Sequence, residues 1–400
     1  MFESLPLAPP DSILGLSEEF QKDARPEKVN LTVGVFKTDG GQTPVLDSVK
    51  AAEQRLLASE KTKGYLGIEG MNSYLAAVNR LVLGDSFDVS RIAAVQSPGG
   101  TGALRISADL LAKFSPSKRI WVSDPTWANH TAIFKTAGLD VHVYPYVAAD
   151  GTSGDIAGML SHLRNSASRG DLLCLHACCH NPTGIDPSSA QWDAIAEVIR
   201  DIGLFPLVDF AYQGFGDGLE ADREPLQKVV AAADESVVCA SFSKNFGLYS
   251  ERAGAVLFVG QDAASAELTL SQAKSIVRTN YSNPPRHGAA IVSEILGDTQ
   301  LTEQWRGEVD AMRGRIDRMR DLFVRGMEAT DAEVDFSFLR TQKGMFSYTG
   351  LTSQHAAWLK QNKAVYILGT GRINVAGMST QTMDYLCESL AECIRSVGVR

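Results

Sequence analysis

The chain has 400 residues, of which 44% are hydrophobic and 21% charged, a composition typical of a globular protein with about two domains. Its net charge of −9 and the absence of a long basic run argue against nucleic acid or an anionic membrane as a partner. The six cysteines lack paired C-x2-C spacing, so we expect no metal site and interpret them as free thiols in a reducing compartment. Because no signal peptide or bilayer-long apolar stretch is evident, we expect a cytoplasmic protein.

Short apolar runs alternate with helical periodicity through the middle of the chain, which predicts an α/β fold with a mostly parallel sheet between helices. The predicted strands occupy residues 91–97, 119–124, 140–146, 171–179, 204–210, 236–242 and 253–260. Helices are predicted at 102–114 and 190–203, and a long amphipathic helix that crosses between domains at about 304–327.

A smaller α+β domain is expected after the long helix. Alternating apolar residues at 334–339 predict a strand, and the runs at 345–350 and 364–377 predict further ones that pack with residues 29–45. We therefore expect a large domain at 44–312 and a smaller domain formed by 1–43 and 313–400.

The strongest local motif is SFSKNFGLYSERAG at 241–254, where Lys244 follows an apolar strand. A lysine that attacks an aldehyde must be deprotonated and held still, and the end of a buried strand favours both. Ser241, Ser243 and Arg252 are residue types that bind a phosphate dianion. The alternative for Lys244 taken alone is an exposed loop lysine, which is the commoner case.

A second motif, LVDFAYQGF at 207–215, ends an apolar strand with Asp209. A carboxylate at the carboxyl end of a parallel strand points into the crevice where α/β proteins bind ligands, and there it can keep a pyridine nitrogen protonated. Tyr212 is placed to hydrogen-bond a ring oxygen. An Asp that caps a helix is the equally frequent alternative.

Three further segments follow predicted strands. In HNPTGIDP, Asn181 would donate to a ring oxygen, and in SPGGTGALR a Gly-rich loop with Gly100 and Thr101 would bind a phosphate at a helix start. The alternatives for these two motifs are an ordinary Asn-Pro turn and a plain Gly-rich turn. In SDPTWANH, Trp127 would stack on a flat ring and His130 would support Asp209, the alternatives being ordinary core packing of both.

These segments together supply an amine nucleophile, a carboxylate for a pyridinium, a phosphate-binding turn and an indole, each at a predicted strand end. Pyridoxal phosphate (PLP) is the common cofactor that needs all four. The Gly-rich segment lacks the Walker A ending and is not G-x-G-x-x-G, so ATP and NAD are not indicated.

The chain resembles the class I aminotransferases, in the aspartate and aromatic amino acid branch, nearly end to end. Beyond the motifs above, the matching segments include VNLTVGVFK, GYLGIEG, VRTNYSNPPRHG, GMFSYTGL and GRINVAG. The resemblance implies the fold type I of PLP enzymes and a ping-pong transamination between an L-amino acid and a 2-oxo acid such as 2-oxoglutarate.

The resemblance also implies a role for each matched residue. Lys244 would form the Schiff base with the cofactor and act with Asp209 and Tyr212 in catalysis. The residues that would bind the cofactor are Gly100, Thr101, Trp127, His130, Asn181, Asp209, Tyr212, Ser241, Ser243, Lys244 and Arg252, with Tyr65 from the neighbouring subunit.

The substrate would be bound by Gly34, Trp127, Asn181 and two arginines. Arg372 would bind the α-carboxylate, and Arg278 of the other subunit a distal carboxylate, which implies a homodimer with shared active sites. Taken alone, both arginines would be read as surface residues.

The resemblance leaves the preferred substrate open. Aspartate and glutamate are expected, with an aromatic-amino-acid aminotransferase of dual specificity as the alternative. From other classes, a non-catalytic PLP-binding regulator and a nucleotide-binding protein remain as rivals.

Overall fold

A computed structural model describes residues 2–7 and 13–398 of the chain. Its strands are β1 (Val29–Asn30), β2 (Ile92–Pro98), β3 (Arg119–Asp124), β4 (Asp140–Pro145), β5 (Leu172–His176), β6 (Phe205–Phe210), β7 (Ser236–Ser241), β8 (Ala253–Val259), β9 (Phe346–Tyr348), β10 (Val365–Tyr366) and β11 (Arg372–Asn374).

The α-helices are named in the same way. They are α1 (Leu14–Lys22), α2 (Asp47–Ser59), α3 (Asn72–Leu83), α4 (Gly99–Phe114), α5 (Ala128–Ala137), α6 (Ile156–Ser166), α7 (Ser189–Ile202), α8 (Glu224–Ala231), α9 (Ala263–Asn280), α10 (His287–Gly297), α11 (Thr299–Glu328), α12 (Ser353–Lys363) and α13 (Met383–Val397). No helix in the described part of the chain combines the length and the apolar character needed to cross a bilayer.

The chain divides into two compact units. One is Pro44–Gly314, and the other combines the described residues of Met1–Thr43 and Arg315–Arg400. Helix α11 contains the boundary between them, so its first part belongs to the larger unit and its last part to the smaller one.

The larger unit is built on a seven-stranded sheet in the order β2-β8-β7-β6-β5-β3-β4. All neighbours pair in parallel except β8, which runs antiparallel to both β7 and β2. Every residue of β5, β7 and β8 is buried, as expected for strands covered on both faces. The predicted α/β class with a mostly parallel sheet is therefore confirmed.

All seven predicted strands of the large sheet are present, but one ends early. β5 stops at His176 instead of Cys179. The backbone N–H groups of Cys179 and His180 donate to the side chain of Asp186 at 2.6 and 2.8 Å, so they are not available to a neighbouring strand. Cys179 also has a φ of 52°, which is incompatible with an extended strand.

Helix α7 begins and ends close to its predicted positions, and both of its ends carry capping residues. For α7, Ser188 and Gln191 form a reciprocal capping box, and Gly203 ends the helix in the left-handed conformation at a φ of 77°. In α4 the helix starts directly at Gly99, so the predicted Gly-rich loop is instead its first turn.

The smaller unit has two short sheets. β1 pairs in parallel with β10, and β9 pairs antiparallel with β11, so the runs at 345–350 and 364–377 do form strands. The strand predicted at 334–339 was wrong, because residues Ser337–Thr341 form a 3₁₀ helix. Asp335 starts this turn by accepting hydrogen bonds from the backbone N–H and hydroxyl of Ser337, a local alternative to strand pairing.

Gly254 and Gly307 provide a matched test of the packing in the larger unit. A Cβ on Gly254 would lie 2.5 Å from the backbone carbon of Gly99, whereas one on Gly307, an exposed position in α11, would meet nothing within 4 Å. We expect Gly254→Ala to destabilise the protein by about 1–3 kcal/mol through overpacking. Gly307→Ala should stabilise it by about 0.5–1 kcal/mol through higher helix propensity.

The measurement is the denaturant midpoint of each variant, followed by circular dichroism. Equal midpoints for the two variants would contradict the close approach of β8 to the start of α4.

Candidate active site

The carboxyl ends of the parallel strands bring together most of the predicted site residues of the larger unit. Asp209 lies near the end of β6, Ser241 ends β7, and both are buried. Strand β8 is antiparallel to both β7 and β2, so β2 runs in the same direction as β7. The start of α4, which follows β2, therefore lies at the same edge of the sheet as the carboxyl end of β7. Ligands of open α/β sheets bind at this edge.

Asp209 is buried but has a dedicated hydrogen-bond donor. Its Oδ2 lies 3.0 Å from Nε2 of the fully buried His130, and Nδ1 of that ring lies 2.9 Å from the hydroxyl of Thr126. A carboxylate has no hydrogen to give, so His130 donates through Nε2 and accepts from Thr126. The structure thus joins Asp209 and His130, and it adds Thr126, whose part the sequence did not indicate.

Two effects compete for the charge of Asp209. Burial acts to raise the pKa of its carboxyl group, but the hydrogen bond from His130 and the electrostatic effect of the nearby imidazoles and Lys244 outweigh it. The pKa of Asp209 therefore lies below its ordinary value, and the group is an anion at neutral pH.

The amine of Lys244 lies beside two other predicted residues. Its Nζ is 4.5 Å from the centre of the Tyr212 ring, and the side-chain amide of Asn181 donates to the Tyr212 hydroxyl at 3.3 Å. Lys244 sits in a turn closed by a hydrogen bond of 3.0 Å from Gly247 N to Lys244 O. An amine, a phenol and an amide are thus held near the same strand ends.

A polar cradle forms where β7, β8 and α4 meet. The Ser241 hydroxyl lies 3.4 Å from that of Ser243, and Arg252 donates to Ser243 at 3.4 Å. Gly99 and Gly100 leave space here, since a Cβ on Gly99 would meet the Arg252 guanidinium at 2.4 Å and one on Gly100 would meet Ser241 at 3.0 Å. The first turn of α4 adds its free N–H groups, so the donor set suits a phosphate group.

Trp127 precedes α5 and is partly buried. Its ring meets the His130 ring edge-on, with centroids 5.4 Å apart and an interplanar angle of 86°. This contact places the indole next to the histidine that supports Asp209.

His130 belongs to a group of aromatic and imidazole rings near Asp209, whose other members were not predicted. The rings of His130 and His176 are 5.0 Å apart, and His180 stacks on Tyr146 at 3.9 Å. Burial, followed by the proximity of His130, lowers the pKa of His176 to about 3, so this ring stays neutral. Only the apolar context of HACCHNPTG could have signalled that these histidines are internal.

Asp186 was also missed, although it lies in the quoted HNPTGIDP motif. It holds the backbone of Cys179 and His180 directly before Asn181, and it thereby fixes the segment that carries this amide. Its withdrawal from water raises its pKa to about 7, partly opposed by the two backbone donors.

In the smaller unit, Arg372 and Gly34 both lie next to Phe346. The guanidinium carbon of Arg372 is 4.1 Å from the centre of the Phe346 ring, and Arg372 donates to Thr32 O at 2.5 Å. A Cβ on Gly34 would lie 2.5 Å from Cζ of the same ring. Arg372 is buried, so it is not the surface arginine that an isolated sequence would suggest.

Three predicted residues lie at the surface of the described chain. Tyr65 is 96% exposed, Thr101 is exposed in the first turn of α4, and Arg278 is exposed in the last turn of α9 beside Ser282. No contact within the described residues joins Tyr65 or Arg278 to Lys244.

The raised pKa of Asp186 predicts a pH dependence of folding. The pKa of this carboxyl group is near 4 in the unfolded chain and about 7 in the folded protein, so the folded protein holds the proton more tightly. The resulting contribution to stability is fully present below about pH 4 and is lost as the pH rises to about 7. We expect the free energy of unfolding of Asp186→Asn to fall less steeply than that of the wild type between pH 4.5 and 7.5.

The measurement is denaturant unfolding of both proteins across this range, with Asp140→Asn as an exposed control. Parallel curves for wild type and Asp186→Asn would show that Asp186 does not titrate there.

The comparisons with known proteins agree with this arrangement. A family model described as aminotransferase class I and II matches residues 26–390. An aspartate aminotransferase of Salmonella typhi is 48% identical over 393 residues, covering 98% of this chain and 99% of the relative. An aromatic-amino-acid aminotransferase of Pseudomonas aeruginosa is 43% identical, covering 98% of both chains.

Solved structures of both kinds share the fold. An aromatic-amino-acid aminotransferase from Burkholderia pseudomallei, covalently bound to pyridoxal phosphate, superposes with a TM-score of 0.94 at 43% identity, covering 98% of this chain and 99% of the other. The cytoplasmic aspartate aminotransferase of Saccharomyces cerevisiae superposes with a TM-score of 0.96 at 37% identity, covering 99% of both. The chain therefore belongs to the class I and II aminotransferases, as its sequence motifs predicted.

Proposed function

We propose that the chain is a PLP-dependent aminotransferase that transfers the amino group of aspartate or glutamate to a 2-oxo acid such as 2-oxoglutarate. The observation that carries the proposal is the placement of Lys244, an ionised Asp209 and a phosphate-binding cradle at one edge of one sheet. The aspartate aminotransferase of Salmonella typhi, which aligns over nearly the whole chain, supports the substrate class.

The residues present fit PLP in both its charge and its hydrogen-bonding groups. The cradle of Ser241, Ser243 and Arg252, with the N–H groups at Gly100 and Thr101, would bind the phosphate. When bound, PLP supplies an aldehyde that links to amines and a pyridine ring that accepts electrons from the substrate Cα–H bond.

The side chains around Lys244 would tune this chemistry. The anionic Asp209 would keep a proton on the pyridine nitrogen, with His130 holding the carboxylate in place. Tyr212 and Asn181, which already contact each other, would donate to the ring oxygen, and Trp127 would cover one face of the ring. Nζ of Lys244 would take the proton from the substrate Cα, a general-base step typically worth about 10²–10⁴-fold.

Arg372 would orient the substrate by binding its α-carboxylate with two parallel hydrogen bonds. Its guanidinium is held over Phe346 and tied to Thr32 before any substrate arrives, so little side-chain freedom is lost on binding. Gly34, which has no room for a side chain beside Phe346, would leave the approach to Arg372 open.

The proposal includes a homodimer that works in the cytoplasm. Tyr65 and Arg278 are exposed in one chain, and the roles expected of them require a neighbouring subunit. The six buried free cysteines are consistent with a reducing compartment.

Lys244 provides the direct test. We expect Lys244→Ala to lose turnover by at least about 10²-fold, because the general base is removed, while the circular dichroism spectrum is unchanged. Lys118→Ala, at the amino end of β3 far from the cradle in the sheet, is the control and should keep normal turnover.

Borohydride treatment of the purified holoenzyme should leave reduced cofactor attached to Lys244, as shown by peptide mass spectrometry. A wild-type protein that binds no PLP, or a Lys244→Ala variant with normal turnover, would refute the proposal.

An aromatic amino acid is the second candidate substrate, because relatives with that activity align over the same share of the chain. Arg278 separates the two, since a hydrogen-bonded charge pair is worth about 1.5–3 kcal/mol. We expect Arg278→Ala to lower kcat/KM for aspartate by about 10–100-fold and to leave kcat/KM for phenylalanine unchanged.

The measurement is steady-state kinetics with both amino donors and 2-oxoglutarate, with Arg164→Ala as an exposed control. Equal losses for aspartate and phenylalanine would show that Arg278 does not recognise a distal carboxylate.

A further inference from the structure

The side chain of Asn374 holds a tight turn in the segment that carries Gly34. Its Nδ2 donates to Val33 O at 2.7 Å and to Val35 O at 2.9 Å. The same segment closes on itself through a hydrogen bond of 2.9 Å from Val35 N to Val33 O, which makes a γ-turn with Gly34 at its apex.

The amide of Asn374 is committed to this turn. The residue is 1% exposed, and its oxygen has no hydrogen-bond partner among residues 2–7 and 13–398, so the side chain acts through its nitrogen. Gly377 leaves space for that nitrogen, because a Cβ there would lie 2.9 Å from Nδ2. Both residues belong to the GRINVAG segment.

The turn is coupled to Arg372 through two contacts. Arg372 and Asn374 both lie on β11, and Arg372 donates to Thr32 O, the carbonyl immediately before the turn. The ring of Phe346 lies under the guanidinium of Arg372 and also limits the position of Gly34. A change in the turn would therefore move both the acceptor that fixes Arg372 and the residue expected beside it.

We propose that Asn374 is a positioning residue for substrate binding, which sets the place of Gly34 and of the Thr32 carbonyl and thereby the orientation of Arg372 toward the substrate α-carboxylate. The inference rests on the proposed function of Arg372. Without the two N–H donors, the carbonyl of Val35 loses this partner and the carbonyl of Val33 keeps only the N–H of Val35, so the turn opens or shifts.

The test uses the PLP-loaded enzyme and two variants. Asn374→Leu keeps much of the side-chain volume but lacks the donors, and Gly377→Ala retains the donors but pushes on Nδ2. We expect both variants to raise KM for the amino acid and for 2-oxoglutarate by about tenfold, which corresponds to the net free energy of roughly one hydrogen bond. We expect kcat to fall by less than about threefold.

A second readout is the dissociation constant of maleate, a dicarboxylate that cannot react, measured from the absorbance of the cofactor. It should increase by the same factor as KM in both variants, while the absorbance spectrum without maleate stays unchanged. Hydrogen exchange at the backbone amide of Val35 should become faster in Asn374→Leu, because its bond to Val33 O is no longer held.

Thr330→Ala is the control. Thr330 is also a side chain of the smaller unit that bridges two backbone groups, Met327 O and Ala332 N, and neither belongs to β9, β11 or the turn at Gly34, so its loss should lower stability without changing KM. An unchanged KM and maleate affinity in folded Asn374→Leu and Gly377→Ala would overturn the inference, and so would an equal KM increase in Thr330→Ala. Failure of the wild type to bind PLP or to transaminate would instead overturn the proposed function.

Discussion

The hydrogen bond between His130 and Asp209 is the interaction on which the proposed chemistry of the site depends. A buried carboxyl group without a donor or a neighbouring positive charge becomes neutral, because burial disfavours the charged form. Here the donor is an imidazole that is itself oriented by Thr126, so the carboxylate stays an anion although it is buried. An anion at this position is what a pyridinium ring requires, and a neutral acid would not hold the proton on the ring.

The antiparallel strand β8 explains how the phosphate cradle joins this anion. Since β8 lies between β7 and β2 and runs opposite to both, β2 ends at the same edge as β7. Gly99 then lies so close to Arg252 and Gly254 that neither glycine position accepts a side chain. One reversal of strand direction thus brings a helix start, two serines and an arginine to the edge that already carries Asp209.

Much of this could be predicted from the sequence, because buried strands appear as continuous apolar runs and their last residues carry the chemistry. What could not be predicted depends on side chains that replace or interrupt regular backbone pairing. Asp186 ends β5 early by taking two backbone N–H groups, and Asp335 turns an alternating segment into a 3₁₀ helix. Both are ordinary acidic residues in the sequence, and their effect depends on geometry a few residues away.

The contact between Asn374 and Val33 could not be predicted for a different reason, because the two residues are separated by 341 positions and no local pattern links them.

The two proposed carboxylate ligands differ in how they are held. Arg372 is buried, stacked on Phe346 and tied to a turn that Asn374 holds, so its orientation is built into the fold of the smaller unit. Arg278 is exposed at the end of α9, and no comparable support is found for it among the described residues. Recognition of the α-carboxylate, which every amino acid shares, would therefore rest on a fixed residue. The choice of side chain would rest on an adaptable one, and relatives of both specificities do align over nearly the whole chain.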